Sequence, residues 1–180
     1  MTSTTPSPPT AIGPARSARA LIAFLAIAFG VAAIGGFSTI DNVNGWYAGA
    51  SKAVWNPPNF VFGPVWTVLY SVMSVSAWLV WRERIRPEFG SLVRAALTAY
   101  IVQLVLNAIW TPTFFGLSPA LGISALWIAL AIIAAIDVAV LVTMLRFWRV
   151  RRSAALLLIP YWAWVLYATT LNVAIAAQNR

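Results

Sequence analysis

Three groups of side chains in this 180-residue sequence have the types and spacing to wall a site for a flat apolar molecule. Trp66, Tyr70, Met73 and Ala77 follow one another at i, i+4, i+7 and i+11. Gln103, Asn107, Trp110, Thr111 and Phe114 fall on one broad helical face, and Trp164, Tyr167, Ala168, Leu171 and Asn172 on another. Residues three or four apart are neighbours on a helix. Indole and phenol rings supply stacking faces and the amides supply a few oriented donors and acceptors, the usual composition of a ligand pocket. Taken singly, Gln103, Asn107 and Asn172 read as groups that tie helices together, worth about 0.6–2 kcal/mol each.

Residue type closes most other chemistry. The sequence holds no histidine and no cysteine. That excludes disulfides, thiolate nucleophiles, Ser-His-Asp catalysis and imidazole or thiolate ligation of haem, and no metal site is expected. The four acids, Asp41, Glu83, Glu88 and Asp137, are scattered and suggest no acid/base couple. There is no Gly-rich phosphate loop. Gly35-Gly36 reads as a helix-packing or flexible point.

The elements that must carry these faces are set by composition. The chain is 61% hydrophobic and 9% charged, whereas a soluble domain carries about a quarter charged residues. Apolar segments fall at about residues 18–40, 62–81, 92–115, 120–145 and 153–177. A helix of about 20 residues crosses the roughly 30 Å hydrocarbon layer, and no alternating strand pattern is visible. The expectation is an all-α integral membrane protein, a five-transmembrane-helix bundle over residues 16–180, preceded by a disordered tail at 1–15 rich in Ser, Thr and Pro. Pro57, Pro58 and Pro64 should precede or open the second helix, Pro119 should open the fourth, and Pro160 should kink the fifth or make its first two turns irregular. Asp137 is the only acid well inside a span; a helix–helix hydrogen bond is the favoured reading, with a proton relay or a shift toward the interface beside it.

Charge gives direction. Arg16, Arg19, Arg82, Arg84, Arg86, Arg94, Arg146, Arg149, Arg151 and Arg152 fall on one side of such a bundle, with Lys52 and Arg180 on the other. The positive-inside rule then predicts a cytoplasmic N-terminus and an outside C-terminus, and the net charge of +8 reports topology, not a nucleic-acid partner. Helical spans point to an inner membrane, and the arginine-rich inside loops to a bacterial one. The loop at about 41–61 carries Trp46, Tyr47, Trp55 and Phe60. By spacing alone it reads either as an interfacial aromatic belt or as a cover over the inward faces.

The stretch from Trp55 to Tyr70, WNPPNFVFGPVWTVLY, resembles the signature of the tryptophan-rich sensory protein family, also called the translocator protein or peripheral benzodiazepine receptor family. Gln103–Trp110 with Phe114-Phe115, and Pro160–Asn172, agree in order and position, so the resemblance covers about residues 20–178. It implies a five-helix bundle, commonly a homodimer, that binds tetrapyrroles such as protoporphyrin and haem, and benzodiazepine-type compounds, between its helices. By that resemblance Trp66 and Trp164 flank the ligand, Asn107 and Trp110 line its wall, and Tyr70 and Ala168 make further contacts. Trp46, Tyr47 and Trp55 belong to the covering loop. Two positions depart from the family pattern: Lys52 is followed by Ala53 where a proline is usual, and no basic residue follows Tyr167 where animal members carry a sterol motif.

The function these features imply is a membrane receptor or regulator of porphyrins and related lipophilic ligands, with no obligatory cofactor. A porphyrin transporter is the alternative, although neither an inverted repeat nor a coupling-ion site is evident. A light-dependent porphyrin-degrading enzyme, reported for some family members, is another, with Trp66 and Trp164 as electron donors. The partners implied are the ligand, the bilayer and a second copy of the chain, which Ala95, Ala96 and Ala99 would allow to approach closely.

Overall fold

The computed structural model describes residues 12–179. The described residues form helices α1 (Pro14–Val43), α2 (Trp46–Gly49), α3 (Asn59–Arg82), α4 (Gly90–Thr111), α5 (Ser118–Leu121), α6 (Ile123–Val150), α7 (Arg152–Leu157) and α8 (Ile159–Gln178). Two 3₁₀ turns, Glu83–Ile85 and Pro87–Phe89, join α3 to α4, and a π-helical turn, Pro112–Gly116, prolongs α4. Five stretches are long and apolar enough to cross a membrane: Pro14–Val43, Asn59–Ile85, Pro87–Gly116, Ile123–Val150 and Arg152–Gln178. The protein is therefore an all-α, five-span bundle. Of the tail expected at 1–15, residues 1–11 lie outside the described residues, and Pro14 already opens α1.

Proline and glycine place the breaks, with two shifts from expectation. Pro64 lies inside α3 instead of at its start. Its missing N–H leaves only the carbonyl of Phe60 without its helical partner, and Phe60 is in the first turn, where disruption is small. Pro119 opens only the four-residue α5; the fourth span starts after Gly122, whose φ of 56° suits glycine alone at no strain. The fifth span is interrupted at Leu158 between α7 and α8, the irregular start expected around Pro160, which sits in the first turn of α8.

In packing, α4 lies along α6, α1 along α3, and α6 along α8. Tyr100, Tyr161, Phe147 and Met73 are the largest fully buried side chains at the centre. Ala96 is also fully buried within the bundle, so it is not free to meet a second copy, while Ala95 and Ala99 are half-buried. The bundle's two ends are tied separately. At the arginine-rich end Trp78 Nε1 donates to the Ser17 carbonyl at 3.0 Å, and Arg151 Nη1 meets Glu83 Oε1 at 2.9 Å. At the other end Ser51 and Asn179 exchange two hydrogen bonds of 2.8 and 2.9 Å, and Trp46 Nε1 donates to the Phe115 carbonyl at 3.0 Å. Asp137 Oδ2 accepts from Thr169 Oγ1 at 2.8 Å, joining α6 to α8, while its Oδ1 has no partner among the described residues. That bond is the helix–helix role expected for the intramembrane acid.

Candidate ligand-binding cavity

Between α1, α3, the end of α4 and α8 lies a cavity of about 450 Å³, within the range of about 300–1,000 Å³ usual for small-molecule sites. Each wall follows from local sequence. On α3, a turn and a turn again separate Phe62, Trp66 and Tyr70, and Gly63 and Thr67 stand between them. Trp66 and Tyr70 stack with ring centroids 5.3 Å apart and planes 29° off parallel. On α4 and its π-turn, Trp110 and Phe114 stack at 5.3 Å and 23°. The wider turn lets Phe114 and Phe115 both reach the cavity. On α8, Trp164, Ala168, Leu171, Asn172 and Ile175 lie on one face.

The fourth wall is smooth in its middle, between Phe29 and Val43, which also line it. Ala32, Gly35, Gly36 and Thr39 of α1 present almost no side chain. A Cβ on Gly35 would lie 3.3 Å from Thr111 Oγ1, so this glycine lets α1 approach α4. A Cβ on Gly36 would meet nothing within 4 Å. Both glycines border the cavity, and the packing reading of Gly35-Gly36 holds for the first alone.

Polar groups around the cavity are mostly committed to the protein. The Tyr70 hydroxyl donates to Asn107 Oδ1 at 2.7 Å, Asn107 Nδ2 donates to Tyr161 Oη at 3.2 Å, and Tyr161 donates to Gln103 Oε1 at 2.8 Å. Trp110 Nε1 donates to Asn172 Oδ1 at 3.3 Å, and Asn172 Nδ2 to the Leu126 carbonyl at 3.1 Å. Buried donors in an apolar medium are costly unless paired, which explains these chains. Trp164 is the exception on the wall: its Nε1 is buried and has no partner among the described residues. Aromatic faces, not hydrogen-bonding edges, are what the cavity offers.

Of the residues singled out in the sequence, Tyr47, Trp66, Tyr70, Trp110, Trp164 and Ala168 line this cavity together. Asn107 does not; it sits behind Tyr70 and is 3% exposed. Trp46 packs on Phe114 and Phe115, one layer out. Trp55 is 53% exposed and lies against α8, donating to Thr170 Oγ1 at 3.3 Å and accepting from the Tyr167 hydroxyl at 2.7 Å. Tyr47 closes the loop end, and its hydroxyl donates to Asn56 Oδ1 at 3.1 Å. Burial pushes its phenol above the usual range, against the smaller opposing effect of that bond. Lys52 is held in the loop, donating to the Ala48 and Ala50 carbonyls at 3.1 and 3.2 Å.

Sequence reasoning missed the α1 wall and Tyr161. An apolar helix with no polar stripe gives no facing signal, and Gly36 was its only mark. Tyr161 stood inside a quoted motif, but its central place in the buried network needs the fold. Among the described residues no group of three His, Cys, Asp or Glu could hold a metal ion.

The profile of the TspO/MBR family matches residues 23–178, which takes in every wall of this cavity. The chain belongs to the TspO/MBR family. It is 37% identical over 159 residues to the tryptophan-rich protein TspO of Archaeoglobus fulgidus, covering 88% of this chain and 94% of that one. It is 40% identical over 134 residues to the human translocator protein, covering 74% and 75%. It is 37% identical over 127 residues to the tryptophan-rich sensory protein of Cereibacter sphaeroides, covering 71% and 72%. Membership in TspO/MBR together with five apolar helices makes this an integral membrane protein of the receptor or transporter class.

Proposed function

We propose that the protein is a membrane receptor or regulator that binds tetrapyrroles, protoporphyrin and haem among them, and related flat lipophilic molecules in the cavity between α1, α3, α4 and α8. The observation that carries this reading is the joint presence of Trp66, Trp110 and Trp164 on the walls of one cavity, beside the small residues Ala32, Gly35 and Gly36 of α1. A planar macrocycle gains dispersion against indole faces, about 0.5–1.5 kcal/mol per aromatic contact beyond area burial. Of the polar side chains on the lining, Asn59 has an amide donor for a carboxylate, whereas the Thr39 and Thr67 hydroxyls donate to the Gly35 and Gly63 carbonyls. Haem would be held by stacking and propionate contacts, because neither histidine nor cysteine is present to ligate its iron.

On this reading the loop between α1 and α3 is the cover. Tyr47 faces the cavity, and Trp46 and Trp55 anchor the loop to the α4 end and to α8. The bundle sits with its arginine-rich end in the cytoplasm, and it works as a homodimer in a bacterial inner membrane. The test is titration of the purified protein in detergent with protoporphyrin, followed by the porphyrin absorption band. A saturable shift with micromolar affinity is expected, and a shift no larger than that of empty micelles refutes the proposal.

A further inference from the structure

A second groove lies on the outside of the bundle at its arginine-rich end, away from the tryptophan-walled cavity. It has a volume of about 370 Å³ and runs between α1 and the end of α3. Arg16, Arg19, Ala20, Ala23 and Ile27 recur at helical spacing along α1, and Trp81 of α3 forms the facing wall. The stripe changes character along its length. Two exposed guanidiniums stand at its mouth, Ala20 and Ala23 with Phe24 form its floor, and Ile27 lies toward the membrane centre.

Among the described residues no carboxylate forms an ion pair with the arginines at the mouth. Arg84 lies over the Trp81 ring, its guanidinium carbon 3.2 Å from the ring centroid. Its Nη1 is buried and has no hydrogen-bond partner among the described residues. Glu83, next to it in sequence, is engaged by Arg86 at 3.4 Å and by Arg151 at 2.9 Å. The first turn of α1 has no acidic residue and no side-chain cap, so its free N–H groups add to the positive field there. A buried guanidinium nitrogen without a partner needs an anion or water to satisfy it.

Length selects the kind of anion. From Arg16 to Ile27 is eleven residues, about 16 Å at the helical rise, which is about half the hydrocarbon thickness of a bilayer. A free phosphate would use the mouth and leave the apolar floor bare. We propose that the groove holds one anionic phospholipid, its phosphate at Arg16, Arg19 and Arg84 and an acyl chain along Ala20, Ala23 and Ile27. Basic pockets between spanning helices recognise acidic headgroups in this way. The lipid would brace α1 against α3 at the end opposite the covering loop.

The test is native mass spectrometry of the full chain released from detergent micelles containing dioleoylphosphatidylglycerol or dioleoylphosphatidylcholine. One phosphatidylglycerol should be retained per chain, with phosphatidylcholine retained far less. Arg16→Gln with Arg19→Gln should weaken that retention by about tenfold or more, the order expected for two arginines at a phosphate. Ala23→Phe should weaken it too, by filling the floor with every arginine in place, while circular dichroism confirms that helix content is kept. Arg146→Gln with Arg149→Gln, at the same end but on α6, should leave it unchanged. Equal retention of the two lipids, an equal loss in the α6 variant, or displacement by millimolar inorganic phosphate would each overturn the proposal.

Discussion

The hydroxyl of Tyr70 on α3 donates to Asn107 Oδ1 on α4 across 2.7 Å, entirely inside the bundle. Through this bond the cavity wall is held from behind. Tyr70 has its polar end drawn into a network with Tyr161 and Gln103, so its ring is left beside Trp66 facing the cavity. Asn107 thereby shapes the site without lining it.

Replacing Asn107 by leucine would leave the Tyr70 and Tyr161 hydroxyls short of partners. Leaving a buried polar group unsatisfied costs about 1–3 kcal/mol, so the variant should unfold at a clearly lower temperature in detergent. Asn107→Asp, which keeps the acceptor for Tyr70, should retain more of the wild-type midpoint than the leucine variant. Identical melting of wild type and Asn107→Leu would mean the network does not hold the wall.

The three wall tryptophans should not be equivalent. Trp66→Ala removes both a cavity face and the stack on Tyr70; protoporphyrin affinity should fall by about tenfold or more, from lost stacking and lost apolar area. Trp164→Phe keeps an aromatic face, losing part of the ring area and an N–H that has no partner among the described residues. Its affinity should stay within about threefold of wild type, since aromatic stacking is retained. Absorption titrations of the two variants side by side decide this.

Gly36 and Gly35 are adjacent, yet their substitution should have opposite effects. Gly36→Leu puts a side chain into open space at the cavity edge and should abolish porphyrin binding while the helix bundle melts near its normal temperature. Gly35→Ala forces a methyl to 3.3–3.4 Å from the Thr111 side chain, so it should lower stability first. Thr111→Ser, which removes the Cγ2 methyl, should recover part of that loss. Melting curves and binding measured on both variants would expose any failure of this separation.

Membrane orientation is open to a direct reading. A reporter active only in the cytoplasm should be active when fused before residue 12 and silent when fused after residue 179, given the arginines clustered at the N-terminal end of the bundle. Activity at the C-terminal fusion would reverse the assignment and place the covering loop in the cytoplasm.

How far the sequence reaches depends on whether a feature is local. Five apolar stretches of helical length, few charges and no alternation are enough to demand a spanning bundle, because a bilayer admits only structures that satisfy their own backbone. The arginine distribution is local in the same sense. So are the inward faces of α3, α4 and α8, since indoles and amides at spacings of three and four residues cannot face lipid without losing partners. The breaks were less legible: the helix runs through Pro64, and Gly122, not Pro119, sets the start of α6, because a left-handed φ cannot be read from residue type alone.

By itself, then, the sequence determined that this is a five-span bundle and which rings and amides turn inward. Only the tertiary structure decided which of those residues meet in one cavity. Asn107 and Trp66 carry the same kind of sequence signal, yet one lies behind the wall and the other on it, because a single hydrogen bond between two helices draws Tyr70 across Asn107. Trp55 is turned out to the α8 surface, and α1 completes the enclosure with small residues between Phe29 and Val43. Periodicity fixes a side chain's direction about its own helix, whereas depth in a wall depends on how closely the neighbouring helices approach. That spacing is set by contacts such as Gly35 against Thr111, which are far apart in the chain.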